Sequence, residues 1–187
     1  MRRLHIIDVF SAEAFLGNPV AVVLDSEGLS ATDMQKIARW TNLSETTFVL
    51  PPTVQGADYR LRIFTPRSEL PFAGHPTLGS AHAVLSAGLV SRRSQLIQEC
   101  SADCVVIIPS RDNDMSKYRL RLPEAVTRVE SAQTAAQLVE VLGDEIDRSR
   151  EPRVIDVGPK WLVAKMPSID QLLKITPALD AMQSLEE

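Results

Sequence analysis

The stretch Glu69-Leu70-Pro71-Phe72-Ala73-Gly74-His75-Pro76-Thr77-Leu78-Gly79-Ser80-Ala81-His82-Ala83-Val84-Leu85-Ser86-Ala87-Gly88 decides the fold. Proline just inside a helix start and glycine just past its end are ordinary helix punctuation, so a helix is predicted over about 76–87. Its body is dominated by Gly, Ser and Ala. Small side chains on most faces let strands approach closely, which reads as a central helix wrapped by sheet. The alternative is a surface helix of poor propensity. A helix opening exposes unpaired N–H groups and the positive end of the dipole, a place for carboxylate or phosphate. Gly74 lets a ligand come close to the backbone. His75 can cap the helix, hydrogen-bond a substrate or carry a proton. The plainer reading is a helix start with a cap and no ligand.

Outward from this helix the chain reads as short elements. Leu4 to Val9 is an apolar strand, and Ala21 to Leu24 a second short apolar run, with Gly17-Asn18-Pro19 between them as turn chemistry. Ser30-Ala31-Thr32-Asp33 resembles a capping box, and Met34, Ile37, Ala38 and Thr41 follow at helical spacing, predicting a helix over 31–41. Thr46 to Leu50 is β-rich and ends at Pro51-Pro52. From Asp58 to Thr65 the residues alternate, with Tyr59, Leu61 and Ile63 on one face and Arg60, Arg62 and Phe64 on the other, so one face is expected to be buried. Strands are predicted at 96–99, 103–109, 118–122, 153–157 and 161–165. Helices are predicted at 131–142, 168–174 and 178–185. The polar segment from Ser110 to Lys117 reads as a loop or a lobe boundary.

Composition narrows the function classes. The chain has 187 residues, 44% hydrophobic and 24% charged, enough for a sizeable core without staples. Lys+Arg 20 against Asp+Glu 24 leaves 20 − 24 = −4, which offers no broad attraction to nucleic acid or to an anionic membrane. No apolar run reaches the roughly 18 residues of a membrane helix. Met1-Arg2-Arg3-Leu4 is not followed by the apolar stretch of a signal peptide. Cys100 and Cys104 are therefore expected to be reduced thiols in the cytoplasm. His5, His75 and His82 are scattered and predict no metal site. P-loop, dinucleotide and nucleophile-elbow motifs do not occur.

Polar groups at sharp backbone changes mark the candidate chemistry. Glu45 lies between Ser44 and Thr46 at a helix-to-strand junction. A carboxylate held beside apolar groups can exchange protons near neutral pH, whereas at an exposed strand start it is merely solvated. Glu69, beside Pro71, is open in the same way. Asn18 in a Gly-Asn-Pro turn serves as turn former or as ligand. Cys100 and Cys104 read as bystander thiols, with no His, Lys or helix start nearby to lower a thiol pKa. His82, inside the small-residue helix, reads as a packed or surface histidine.

Together these clusters resemble the PhzF (phenazine biosynthesis-like) family. The matching text is Asp8-Val9-Phe10, Phe15-x-Gly17-Asn18-Pro19, Ala38-Arg39-Trp40-Thr41-Asn42-Leu43-Ser44-Glu45-Thr46, Arg62-x-Phe64-Thr65-Pro66, Glu69 through Gly79, and Asp156-Val157-Gly158-Pro159-Lys160-Trp161. The resemblance covers essentially the whole chain. It implies an α+β, diaminopimelate epimerase-like fold, in which a curved, mostly antiparallel sheet wraps a central helix in each of two related lobes. On that scheme residues 1–112 are the first lobe and 113–187 part of a second. The family's general acid/base maps onto Glu45. Asn18, Ser44, Gly74, His75, Pro76 and Thr77 would bind a small carboxylic acid. The reaction implied is an isomerisation by proton transfer at carbon, with no metal or organic cofactor. The catalytic thiol of diaminopimelate epimerase would fall near Ala73, so two-cysteine chemistry is not expected.

One departure follows from the same resemblance. Full-length members carry Asp-Pro-x-Thr-Gly-Ser in the second lobe and return to the first lobe with their last strands. No such motif occurs before Glu187. The expectation is an unfinished second lobe, an open sheet in the first, and association with another chain, such as a homodimer, through the open edge. Two function classes follow: an isomerase completed by another chain, or an inactive remnant that binds small acids or a protein.

Overall fold

The small-residue helix runs from Gly74 to Ser86 and lies inside a sheet. The computed structural model describes residues 1–110, 117–122, 124–143, 145–157, 160–178 and 180–181. The chain divides into two units, Met1–Pro123 and Glu124–Glu187.

In the first unit the elements are β1 (Leu4–Val9), β2 (Asn18–Val23), α1 (Ala31–Thr41), β3 (Glu45–Leu50), β4 (Tyr59–Phe64), β5 (Glu69–Leu70), α2 (Gly74–Ser86), β6 (Leu96–Glu99), β7 (Cys104–Pro109) and β8 (Tyr118–Leu120). The strands form one sheet in the order β1-β2-β3-β4-β6-β7-β8, with the short β5 paired to β4. Neighbours are antiparallel except β2 with β3 and β4 with β6. Helix α2 touches β1, β2, β3, β4 and, at the far end of the sheet, β8. A sheet whose two end strands both reach one helix must curve around it. Among the described residues the outer edges of β1 and β8 carry no further strand, so the sheet is not closed.

Why α2 is built from small residues is visible at Gly79. A Cβ there would stand 2.5 Å from Val20 Cγ1 and 3.0 Å from Val9 Cγ2, closer than packed carbon atoms tolerate. Pro76, Thr77, Gly79, Ser80, Ala81, Ala83 and Val84 are all buried, which removes the surface-helix alternative. Gly79→Ala should gain up to ~1 kcal/mol of helix propensity but lose ~1–3 kcal/mol to overpacking. The expected result is a net destabilisation of about 1–2 kcal/mol, read from the urea midpoint; a more stable variant would contradict this packing.

Helix α1 covers the sheet's other face. Ser30 Oγ accepts from the Asp33 N–H and the Asp33 carboxylate accepts from the Ser30 N–H, a complete capping box. Met34 and Ala38 are buried against Phe48 and Phe64, whose rings meet edge to face at 5.5 Å. Phe64 therefore does not sit on an open face, as strand alternation alone predicted; α1 closes that face over it. Strand β2 also begins earlier than its apolar run, because Asn18 and Pro19 already pair with Val9 and Asp8 of β1.

The second unit carries β9 (Val126–Val129), α3 (Ala132–Leu142), β10 (Arg153–Asp156), β11 (Lys160–Val163) and the single turn α4 (Ile169–Leu172). Its three strands are antiparallel in the order β11-β10-β9. Ser131 caps α3, and Gly143 ends it in the left-handed region at φ 65°. Most of the helix predicted over 178–185 lies outside the described residues, as do Gly158 and Pro159.

Candidate functional site

All the candidate side chains lie in the first unit. Asn18 opens β2, and Glu45 opens the neighbouring parallel strand β3, where it faces Val20 in register. Ser44 immediately precedes Glu45, and His75 lies in the first turn of α2. Two strand starts and one helix start thus converge.

Gly17 makes the approach possible. A Cβ on it would lie 2.3 Å from Val9 O and 2.4 Å from Asp8 Oδ1, so only glycine lets the chain turn back against β1 at this point. Its N–H donates to Asp8 Oδ2 at 3.3 Å. That turn delivers Asn18 beside the histidine.

The geometry is compact. Glu45 Oε2 lies 3.3 Å from His75 Nε2, with the side chains 16% and 9% exposed. The two atoms are near enough to interact electrostatically but are not aligned for a hydrogen bond, and each is a buried polar atom with no hydrogen-bond partner. On the other side of the ring, Asn18 Nδ2 lies 3.4 Å from His75 Nδ1. Ser44 Oγ donates to Asn18 Oδ1 at 3.3 Å. The Phe10 ring sits 6.3 Å from the imidazole, centroid to centroid.

No side chain caps α2; the N-cap is Ala73. Pro76 has no N–H, and the Thr77 N–H bonds to Ala73 O. The N–H groups of Gly74 and His75 remain at the helix mouth with the positive end of the dipole. Thr77 itself turns inward: it is fully buried, and its Oγ1 accepts from Gln98 Nε2. Pro76 is buried too. So Glu45, His75, Asn18 and Ser44 come together, Gly74 lends backbone, and Pro76 and Thr77 support the turn from below.

Other candidates sort differently. Glu69 forms a two-pronged ion pair with Arg62, at 2.7 and 2.6 Å. His82 packs between Tyr118 and Ser86. Cys100 and Cys104 are both free thiols. Phe10 stands in the matching Asp8-Val9-Phe10 text but is not among the site residues that the sequence nominates. Its signal is positional: in a hairpin of this register it follows Val9, the partner of Asn18. Phe10 and Phe15 both hold positive φ, 71° and 70°, while 74% and 96% exposed.

Residues 7–187 match the family described as phenazine biosynthesis-like protein. The chain belongs to that family. PhzF-family proteins and their kin are also what it resembles pairwise. It is 43% identical to antisense-enhancing sequence 1 of Schizosaccharomyces pombe over 96% of this chain and 62% of that protein. It is 37% identical to trans-2,3-dihydro-3-hydroxyanthranilate isomerase of Pseudomonas chlororaphis, over 100% of this chain and 65% of the relative. Among solved structures, a predicted epimerase from Pseudomonas aeruginosa superposes with a TM-score of 0.85 at 26% identity, covering 100% of this chain and 66% of the other. The chain thus spans just under two thirds of the length of the curated relatives it matches, and its fold is that of the PhzF family's epimerase-like proteins. Among the described residues no helix is long and apolar enough to cross a membrane.

The electrostatics of this PhzF-family site give a pH prediction. Burial lowers the His75 pKa below its ordinary 6.5, and outweighs the opposing pull of Glu45 and of the Pro19 backbone. His82 is lowered as well, by burial and by His5. Unfolding frees both rings, so below pH 6.5 the unfolded chain binds more protons than the folded one. Stability is therefore full above that pH and falls as pH drops through the lowered folded-state values. The urea midpoint should decline on acidification from pH 6.5, and His75→Gln should flatten part of the decline. A midpoint that rises over that window would contradict the burial of these rings.

Proposed function

We propose that Glu45 moves a proton between two carbon atoms of a small carboxylic acid, making the chain an isomerase that needs no metal or organic cofactor. One observation carries the reading: two buried polar atoms, Glu45 Oε2 and His75 Nε2, stand 3.3 Å apart without hydrogen-bond partners, beside an uncapped helix start. Buried polar atoms left unpartnered are costly, and they cluster where a ligand completes them. The substrate carboxylate docks on the N–H groups of Gly74 and His75. Pro76 and Thr77 hold that first turn, and Asn18 and Ser44 frame the imidazole. Glu45 accepts the proton from the substrate C–H. The electron pair spreads through the unsaturated acid, and Glu45, whose acquired proton exchanges with solvent, delivers a proton to a different carbon. Nothing is oxidised or reduced.

Three Pseudomonas relatives, 36–38% identical, are named trans-2,3-dihydro-3-hydroxyanthranilate isomerases, which supports a cyclic unsaturated acid as the substrate class. Edges of β1 and β8 that carry no further strand among the described residues favour self-association as a homodimer, and free thiols at Cys100 and Cys104 suit a reducing cytoplasm. The test is deuterium incorporation from solvent into carbon positions of small unsaturated and hydroxy acids, trans-2,3-dihydro-3-hydroxyanthranilate included, with saturable binding followed in parallel. Catalysed incorporation into at least one acid is expected. Saturable binding with no incorporation would overturn the isomerase in favour of a binding module.

A further inference from the structure

We infer that Asn18 is a positioning residue whose side-chain amide fixes the tautomer of His75, so that the imidazole carries its proton on Nε2, the nitrogen nearer Glu45. The inference rests on reading this cluster as the proton-transfer site, but its physical basis is the order of donors and acceptors around one ring.

The order is set from the Glu45 end. A carboxylate only accepts, and Glu45 Oε2 is 3.3 Å from Nε2, so the favourable arrangement puts the ring proton on Nε2. Burial keeps the ring neutral at neutral pH. A neutral imidazole with its proton on Nε2 has an acceptor at Nδ1. The group facing Nδ1 must then donate, which requires the Asn18 amide nitrogen, 3.4 Å away, rather than its oxygen. The oxygen is left for the Ser44 hydroxyl, which donates to it at 3.3 Å. Ser44, Asn18 and His75 Nδ1 thereby each have one direction that satisfies the neighbour. Flipping the amide would set the carbonyl oxygen against the Nδ1 lone pair. The Pro19 backbone pulls the other way, favouring a charged ring, but burial outweighs it.

The consequence is functional. With its proton on Nε2, 3.3 Å from Glu45 Oε2, the neutral ring favours the carboxylate electrostatically without taking the substrate proton itself. An acid at position 18 would reverse this: a carboxylate beside Nδ1 draws a proton there and favours imidazolium.

The experiment is nitrogen-15 NMR of the 187-residue chain labelled at histidine, without substrate or turnover, so its outcome is independent of whether the chain proves to be an isomerase. The chain has 3 histidines, and His75→Gln identifies the relevant ring. The expected wild-type spectrum at neutral pH shows His75 as the Nε2–H tautomer. Asn18→Asp should move the proton to Nδ1 and raise the ring's titration midpoint by about one unit. Asn18→Leu, which neither donates nor accepts, should give a mixture of tautomers. An Nδ1–H ring in the wild type would overturn the assignment, whatever the variants do. So would an unchanged tautomer and midpoint in both Asn18 variants. Should Asn18→Asp fail to fold, the wild-type and Asn18→Leu spectra decide the matter between them.

Discussion

Glu45→Gln is expected to lower the rate of solvent deuterium incorporation about a thousandfold, within the hundred- to ten-thousandfold range of a positioned general acid or base. That is about 4 kcal/mol of transition-state stabilisation, at ~1.4 kcal/mol per tenfold. The substitution is nearly isosteric, so β3 keeps its register with β2 and the helix mouth keeps its shape. What it removes is the lone-pair basicity needed to take a proton from carbon; an amide oxygen is far too weak a base. Binding should change little, because the proposed mechanism places the substrate carboxylate on the N–H groups of Gly74 and His75 rather than on Glu45. The loss therefore belongs in kcat, with KM near the wild-type value. Folding should be unharmed, since Glu45 Oε2 has no hydrogen bond to lose. A rate within threefold of wild type would remove Glu45 from the mechanism.

How much of this was legible beforehand depended on whether the signal was local. The small-residue helix announced its own burial, because a Gly-Ser-Ala body has no other way to be stabilised, and Gly79 against Val20 is the contact that demands it. The Ser30–Asp33 cap was legible for the same reason: both partners lie within one turn. Pairings across the chain were not. Nothing in Tyr59–Phe64 says that it runs parallel to Leu96–Glu99, or that α1 covers the face carrying Phe64. Two-residue β5 is too short to show a period. All four residues of β9 are exposed, so it shows no alternation between buried and open positions. At the site, Glu45 and His75 could be nominated from their neighbours, but their meeting depends on α2 packing against β3, and Asn18 joins them only through the parallel pairing of β2 with β3. The ligand-facing appearance of Thr77 came from its place at a helix start. Its true direction is set by Gln98, which is 21 residues further along the chain.

That inward contact leads to the largest expected effect on stability. Gln98 is completely buried in β6; its Oε1 accepts from the Tyr59 hydroxyl at 3.0 Å, and its Nε2 donates to Thr77 Oγ1 at 3.1 Å. One amide thus ties β4, β6 and the first turn of α2 into a polar bridge inside an apolar core. Burial also pushes the Tyr59 phenol far above its ordinary pKa, so it remains a neutral donor. Gln98→Leu keeps most of the volume but strands both partners, each at ~1–3 kcal/mol. About 3 kcal/mol should be lost, a fall in Tm of roughly 10 °C for a chain of this size. Adding Tyr59→Phe should recover part of the loss, because deleting both ends of a buried hydrogen bond costs less than deleting one. Thermal denaturation of the single and double variants reads both effects. The same substitution should loosen the turn that presents the Gly74 and His75 N–H groups, raising KM for a carboxylate substrate while Glu45 stays in place. A Gln98→Leu protein as stable as wild type would mean that this bridge does not hold the central helix to its sheet.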